Sequence, residues 1–147
     1  MTDLLDPARR FAEQLDDFGA ETEPTLCYSN VDAFVREYLR HMYKRRIDGR
    51  NRVWAARWWS YGEAIARLEA LWRSWESLRQ DPSTGMSVWW RDHADYHMPV
   101  LMDPDGVFAD AADNPENLNR RGEPLPYRPP PEGLFRDFAD PSLTGNS

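Results

Sequence analysis

Residues 60–82, SYGEAIARLEALWRSWESLRQDP, hold the clearest structural signal in the chain. Ile65, Leu68, Leu71, Trp72, Trp75 and Leu78 recur three and four apart, the period of one face of an α-helix. On the other faces Glu63 precedes Arg67 and Glu69 precedes Arg73 by four residues, the favourable order for ion pairs along a helix. Ser60 and Glu63 have the spacing of a capping box, in which each side chain accepts a backbone N–H from the other residue. Asp81-Pro82 supplies the stop, because a proline ring disfavours helical geometry in the residue before it. The predicted helix spans 61–80.

Two further helices are predicted on either side. Upstream, Val31, Phe34, Val35, Tyr38, Leu39 and Met42 repeat at helical spacing behind the candidate caps Ser29 and Asn30, and Gly49 follows, so a helix is expected over 31–46. Downstream, SVWWRDHADYHMPVLM places Trp90, Ala94, His97 and Leu101 on one face, giving a helix over 87–102 that Pro99 should kink or restart. Asp103-Pro104-Asp105-Gly106 reads as a turn. GEPLPYRPPPEGLF, with its prolines, should be extended and should wrap over the helices. The expected fold is mainly α: a small helical domain of three principal helices with an extended proline-rich C-terminal segment.

A chain of 147 residues is the size of one domain. Residues 1–28 read as an acidic mobile arm, 29–138 as a single tryptophan-rich helical domain, and 139–147 as a disordered tail. The net charge of −7 is unevenly spread: residues 1–35 carry −6, 36–80 carry +6 and 81–147 carry −7. That balance argues against a general phosphate binder and leaves room for a local basic face. The acidic opening, broken by Pro7, is unlike a signal peptide, and no apolar run approaches the ~20 residues that cross a bilayer. A cytoplasmic protein is expected, with no membrane partner. Cys27 is the single cysteine, which rules out an intrachain disulfide.

All seven tryptophans fall between Trp54 and Trp90. Trp72 and Trp75 lie on the apolar stripe and are expected in the core. The segment KRRIDGRNRVWAARWW interleaves Lys44, Arg45, Arg46, Arg50, Arg52 and Arg57 with Trp54, Trp58 and Trp59, opposed by Asp48 alone. Cations for phosphates beside aromatic faces for bases are the ingredients of single-strand binding. The plainer alternative is that Lys44 to Arg46 complement the C-terminal end of the first helix while the tryptophans pack. Trp89 and Trp90, beside His93 and His97, form a second candidate for exposed aromatic surface.

Chemistry is sparsely signalled. His93 and His97 stand four apart with Asp92 and Asp95 beside them, a metal-ligand spacing, but packing against Trp89 or Trp90 with hydrogen bonds to carboxylates is the better reading. His41 belongs on the surface of the first helix. Neither a nucleophile elbow nor a phosphate-cradling glycine loop nor a dinucleotide fingerprint occurs, so neither cofactor nor metal is expected. Pro126 to Pro129 matches P-x-x-P, more plausibly a segment lying on its own domain than a ligand for a proline-recognising module.

Taken together, FVREYL, RWW, the EAIARLEALW helix, GMSVWWRDH, DPDG and the closing PLP and PPPEGLF resemble an actinobacterial, plasmid and phage family catalogued as domain of unknown function 4913, over residues 31–135. The resemblance implies an accessory protein of a mobile element or phage, with no catalytic residues to carry over. Relatives often follow G-P-F with a cysteine and a histidine, whereas this chain reads Gly106-Val107-Phe108-Ala109-Asp110-Ala111; if that pair binds metal in relatives, this chain has lost it. The expected function is a non-enzymatic interaction protein that meets an unidentified protein partner through the aromatic-basic face. The alternatives are nucleic-acid binding, single-stranded or duplex, by the 44–59 segment, and an enzyme with an unrecognised His/Asp site.

Overall fold

The computed structural model describes residues 25–139. The expected arm, up to residue 24, and the expected tail, beyond residue 139, lie outside the described residues. Three helices dominate, and no strand occurs among the described residues.

Helix α1 covers 31–42, as an α-turn Val31–Phe34, a π-turn Val35–Leu39 and a last turn Arg40–Met42. Asn30 is its cap: the side chain accepts the Ala33 N–H at 2.8 Å, satisfying one of the donors a helix start leaves unpaired. The expected continuation to residue 46 does not form. Tyr43 leaves the helix at φ −103°, ψ 62°, and its ring is buried and stacked on Trp90 at 5.9 Å. Residues beyond it run extended and take their hydrogen bonds from Asn119 instead of from the preceding helical turn.

Helix α2, Gly62–Leu78, buries Ala64, Leu68, Leu71, Trp72 and Trp75 as its apolar period requires. The two expected ion pairs form, Arg67 with Glu63 at 2.9 Å and Arg73 with Glu69 at 3.1 Å. The capping box does not. Ser60 is the last residue of a 3-10 turn, Trp58–Ser60, so Tyr61 takes the cap position and Glu63 is one residue out of register for the reciprocal bond.

Helix α3 covers 85–102: an α-turn Gly85–Val88, a π-turn Trp89–Ala94 and the segment Asp95–Met102, which passes through Pro99. Gly85 is required here, since a Cβ at this point would collide with the Leu78 carbonyl at the end of α2. The π-turns of α1 and α3 bring aromatic rings together around α2. Tyr38 lies 4.8 Å from Trp75, and Phe34 meets Trp75 at 5.6 Å and Trp89 edge-on at 6.3 Å.

The core extends past the helices. Trp54, Trp58, Trp72 and Trp89 are fully buried together with Phe34, Leu68, Leu71, Met98 and Phe108. The proline-rich segment is fastened to α1 by reciprocal bonds: Leu125 N–H to the Arg40 carbonyl at 3.0 Å, and Arg40 Nε to the Leu125 carbonyl at 2.9 Å. Further along, Arg128 N–H donates to the Ala56 carbonyl and the Tyr127 hydroxyl to Asp32 at 2.7 Å. The buried carboxylate of Glu76 accepts the Cys27 and Tyr28 N–H groups, both at 2.9 Å, which ties residues 27–28 to α2. Among the described residues no helix is long and apolar enough to cross a membrane.

Candidate functional site

The extended stretch after α1 forms one wall of a basic groove. Ile47 N–H donates to Asn119 Oδ1 at 2.7 Å, and Asn119 Nδ2 donates to the carbonyls of Arg45 and Pro124, each at 3.0 Å. One side chain therefore ties the cationic stretch to the turn carrying Arg121. That turn is closed by Arg120 N–H on Glu123 Oε1 at 2.6 Å and by Gly122 at φ 83°.

Asp48 shapes the next loop. Its Oδ1 accepts N–H groups of Arg50, Asn51 and Arg52 at 2.9, 2.8 and 3.3 Å, and its Oδ2 accepts from Asn51 Nδ2 at 2.8 Å. The Arg50 N–H and its neighbours hold this carboxyl well below the usual carboxylate range. Gly49 makes the turn at φ 77°, where a Cβ would also press on the Ala112 carbonyl at 2.5 Å. The result is a groove of about 480 Å³ lined by Lys44, Arg45, Arg46, Asp48, Asn51, Arg52, Arg121 and Gly122. Five cations face one carboxylate that is already engaged with backbone. Among the described residues no carboxylate forms an ion pair with any of the five.

A second pocket, about 390 Å³, adjoins the first and shares Arg45, Asn51 and Arg52 with it; Tyr43, Pro99, Met102 and Asp103 complete its lining. The Arg45 guanidinium lies over the Tyr43 ring, 4.1 Å from its centroid. Val53 N–H bonds the Met102 carbonyl at 3.0 Å, which fastens the 48–52 loop to the end of α3.

The aromatic half of the expected face is elsewhere. Trp54 is core, with its indole N–H on the Pro126 carbonyl at 3.1 Å, and Trp58 is core and stacked on Phe135 at 5.4 Å. Neither ring is available to a partner, because an indole gains more from burial against the proline-rich segment than from exposure. Trp59 is half-buried and donates to the Arg128 carbonyl at 2.9 Å. Trp89 is buried on the Leu71 carbonyl, and half-buried Trp90 packs on Tyr43. Arg57 is drawn off by Glu116 at 3.3 Å and does not line the groove, while Arg50 is exposed on the loop beside it. Lys44, Arg45, Arg46 and Arg52 are brought together. Arg121 was not foreseen, although Arg120-Arg121 before Gly122 is a basic pair inside an acidic third of the chain, and that contrast is its only sequence cue.

His93 and His97 line neither pocket. Burial, then the Arg67 guanidinium at 3.1 Å from Nδ1, pushes the His97 imidazole below its usual value. Among the described residues no three of the His, Cys, Asp and Glu side chains cluster as metal ligands. Cys27 is exposed.

The arrangement therefore clusters positive charge on one open groove, a geometry for holding an anion. The chain matches neither a curated protein nor a solved structure. The family described as "Domain of unknown function (DUF4913)" matches residues 28–131, in agreement with the resemblance carried by its helix and turn motifs, and the chain belongs to that family.

Proposed function

We propose that this is a non-enzymatic accessory protein of an actinobacterial mobile element or phage, acting in the cytoplasm, and that its basic groove binds the phosphate backbone of nucleic acid. The observation that carries the proposal is the convergence of Lys44, Arg45, Arg46, Arg52 and Arg121 on one open groove whose single carboxylate is spent on backbone N–H groups. Phosphate contacts of this kind position a protein without reading sequence. With Trp54 and Trp58 in the core, this face lacks their rings as platforms for successive stacked bases, and the backbone of a duplex is a better fit than a general single strand. The overall charge of −7 disfavours polyanions over the surface as a whole, which favours encounter at the basic groove.

The test is fluorescence anisotropy with a labelled DNA duplex across a salt series. Affinity should fall with a log–log slope of about −0.9 for each phosphate neutralised. Absence of binding at low salt would remove the reading.

A protein partner is the second reading, favoured by Tyr96, 61% exposed, and Val100, 36% exposed, one turn apart on α3. Tyr96→Ser with Val100→Ser should then abolish copurification of that partner while duplex binding persists; unchanged copurification would rule this face out.

A further inference from the structure

The pocket beside the groove has a different chemistry from the groove itself. It is walled by the apolar surfaces of Pro99 and Met102 and by the Arg45 guanidinium stacked over Tyr43, and it carries one carboxylate, Asp103, at its edge. Arg45, Asn51 and Arg52 line both cavities, so the pocket opens beside the groove in which the phosphate backbone is proposed to lie. At about 390 Å³ the pocket is in the range of small-ligand sites and has room for one planar base.

We infer that this pocket receives one unpaired guanine of the nucleic acid whose backbone lies in the groove, an inference that rests on the proposed backbone binding.

Three features select the ligand. Guanidinium planes are stacking surfaces for unstacked bases, and the Arg45 guanidinium carbon lies 4.1 Å from the centroid of the Tyr43 ring. Asp103 Oδ1 accepts the Asp105 N–H at 2.9 Å, which fixes the carboxylate and leaves Oδ2 with no partner among the described residues. A carboxylate only accepts, and guanine alone among the common bases presents two adjacent donors, N1–H and N2–H, on its pairing edge, which match Oδ2 and the second lone pair of Oδ1. Guanine also presents O6 and N7 as paired acceptors, the pattern a guanidinium reads, and Arg52 stands on the pocket wall to meet them. Adenine, with an acceptor beside its single exocyclic amine, leaves the carboxylate opposed by a lone pair.

The experiment compares one labelled duplex with four versions of it, each carrying a single unpaired G, A, C or T (U in RNA), prepared in DNA and in RNA. Binding is read by anisotropy for the full chain and for Asp103→Asn, which keeps the Oδ1 acceptor of the turn while replacing the second acceptor with a donor. The expected result is affinity for the G-containing duplex on the order of tenfold above the others. Asp103→Asn should erase that preference; because it also removes a negative charge beside the groove, the preference is read as the ratio of each affinity to that of the fully paired duplex for the same protein. A preference in only one of the two polymers identifies which is the ligand. Equal binding of all versions in both polymers, with the paired duplex still bound, overturns the guanine pocket and leaves the groove standing. Failure of every probe to bind at low salt overturns both. A guanine preference that survives Asp103→Asn overturns the assignment of Asp103.

Discussion

Ile47 and Asn119, 72 residues apart, exchange hydrogen bonds in both directions: Ile47 N–H donates to Asn119 Oδ1 at 2.7 Å, and Asn119 N–H donates to the Ile47 carbonyl at 3.3 Å. The pair is the joint between the two walls of the groove, since Asn119 Nδ2 also reaches the Arg45 and Pro124 carbonyls. Asn119→Ala strands a backbone donor and loosens two carbonyls in a half-buried place. The expected loss is about 1 to 3 kcal/mol of stability, seen as a fall of roughly 3 to 10 °C in thermal unfolding midpoint. Duplex affinity should fall in the folded variant as well, because Arg121 is no longer held opposite Lys44 and Arg46. A variant that loses stability and keeps full affinity would show that the two walls act independently.

The tryptophans offer a sharper comparison. Trp54 and Trp58 are both fully buried, yet the Trp54 indole N–H donates to the Pro126 carbonyl whereas the Trp58 N–H has no partner among the described residues. Phenylalanine removes the donor in each case, and for Trp58 that donor is without an acceptor among the described residues. Trp54→Phe leaves a buried carbonyl short of a bond, while Trp58→Phe relieves an unpaired donor, so Trp54→Phe should be the more costly by about 1 kcal/mol. Urea denaturation of both variants measures the difference directly, and an equal or reversed order would mean that Trp58 has an acceptor, such as a bound water.

These two cases also mark where the sequence is readable. The body of α2 is plain because its stripe, Leu68 to Trp75, is a local period imposed by one buried face. The end of α1 is not, because the competitor of the helix at residues 44–47 is Asn119, which no local pattern announces. Trp54 and Trp58 lie outside any periodic run, so a neighbouring arginine looked like a functional companion when the true companions are Pro126 and Phe135. The basic half of the site was legible as an unopposed charge cluster. Its closing residue, Arg121, came from a distant turn, and its apolar annex depended on where the end of α3 meets the 48–52 loop.

Alkaline pH should act through two phenols. Burial first, and then the hydrogen bond to Asp32, push the Tyr127 hydroxyl up to about 12; burial and Asp110 do the same for Tyr61, also to about 12. The folded state holds these protons more tightly than the unfolded chain, where the value is 10.0. The stabilisation is therefore complete below pH 10 and is lost as pH rises from there through about 12. Tyr127→Phe cannot ionise, so it should lower stability at neutral pH, where the Asp32 bond is missing, and show a shallower decline above pH 10. Denaturation midpoints of both proteins across that window decide the matter: parallel declines would contradict it.

Arg57 and Arg121 invert their sequence-based importance, and salt dependence separates them. Arg57 sits in the KRRIDGRNRVWAARWW segment but pairs with Glu116 at 3.3 Å, away from the groove; Arg121 is distant in sequence and lines it. A cation that contacts phosphate releases counterions on binding, whereas one already paired with a carboxylate releases few. Arg121→Ala should thus weaken duplex binding uniformly across sequences and reduce the magnitude of the salt slope by about 1. Arg57→Ala should leave the slope unchanged. Both positions are surface residues whose removal leaves the core intact, so far-UV circular dichroism should match the parent chain in each. If Arg57→Ala changed the slope and Arg121→Ala did not, nucleic acid would be held on the Glu116 side of the molecule and the groove between residues 44–52 and 121 would not be the binding face.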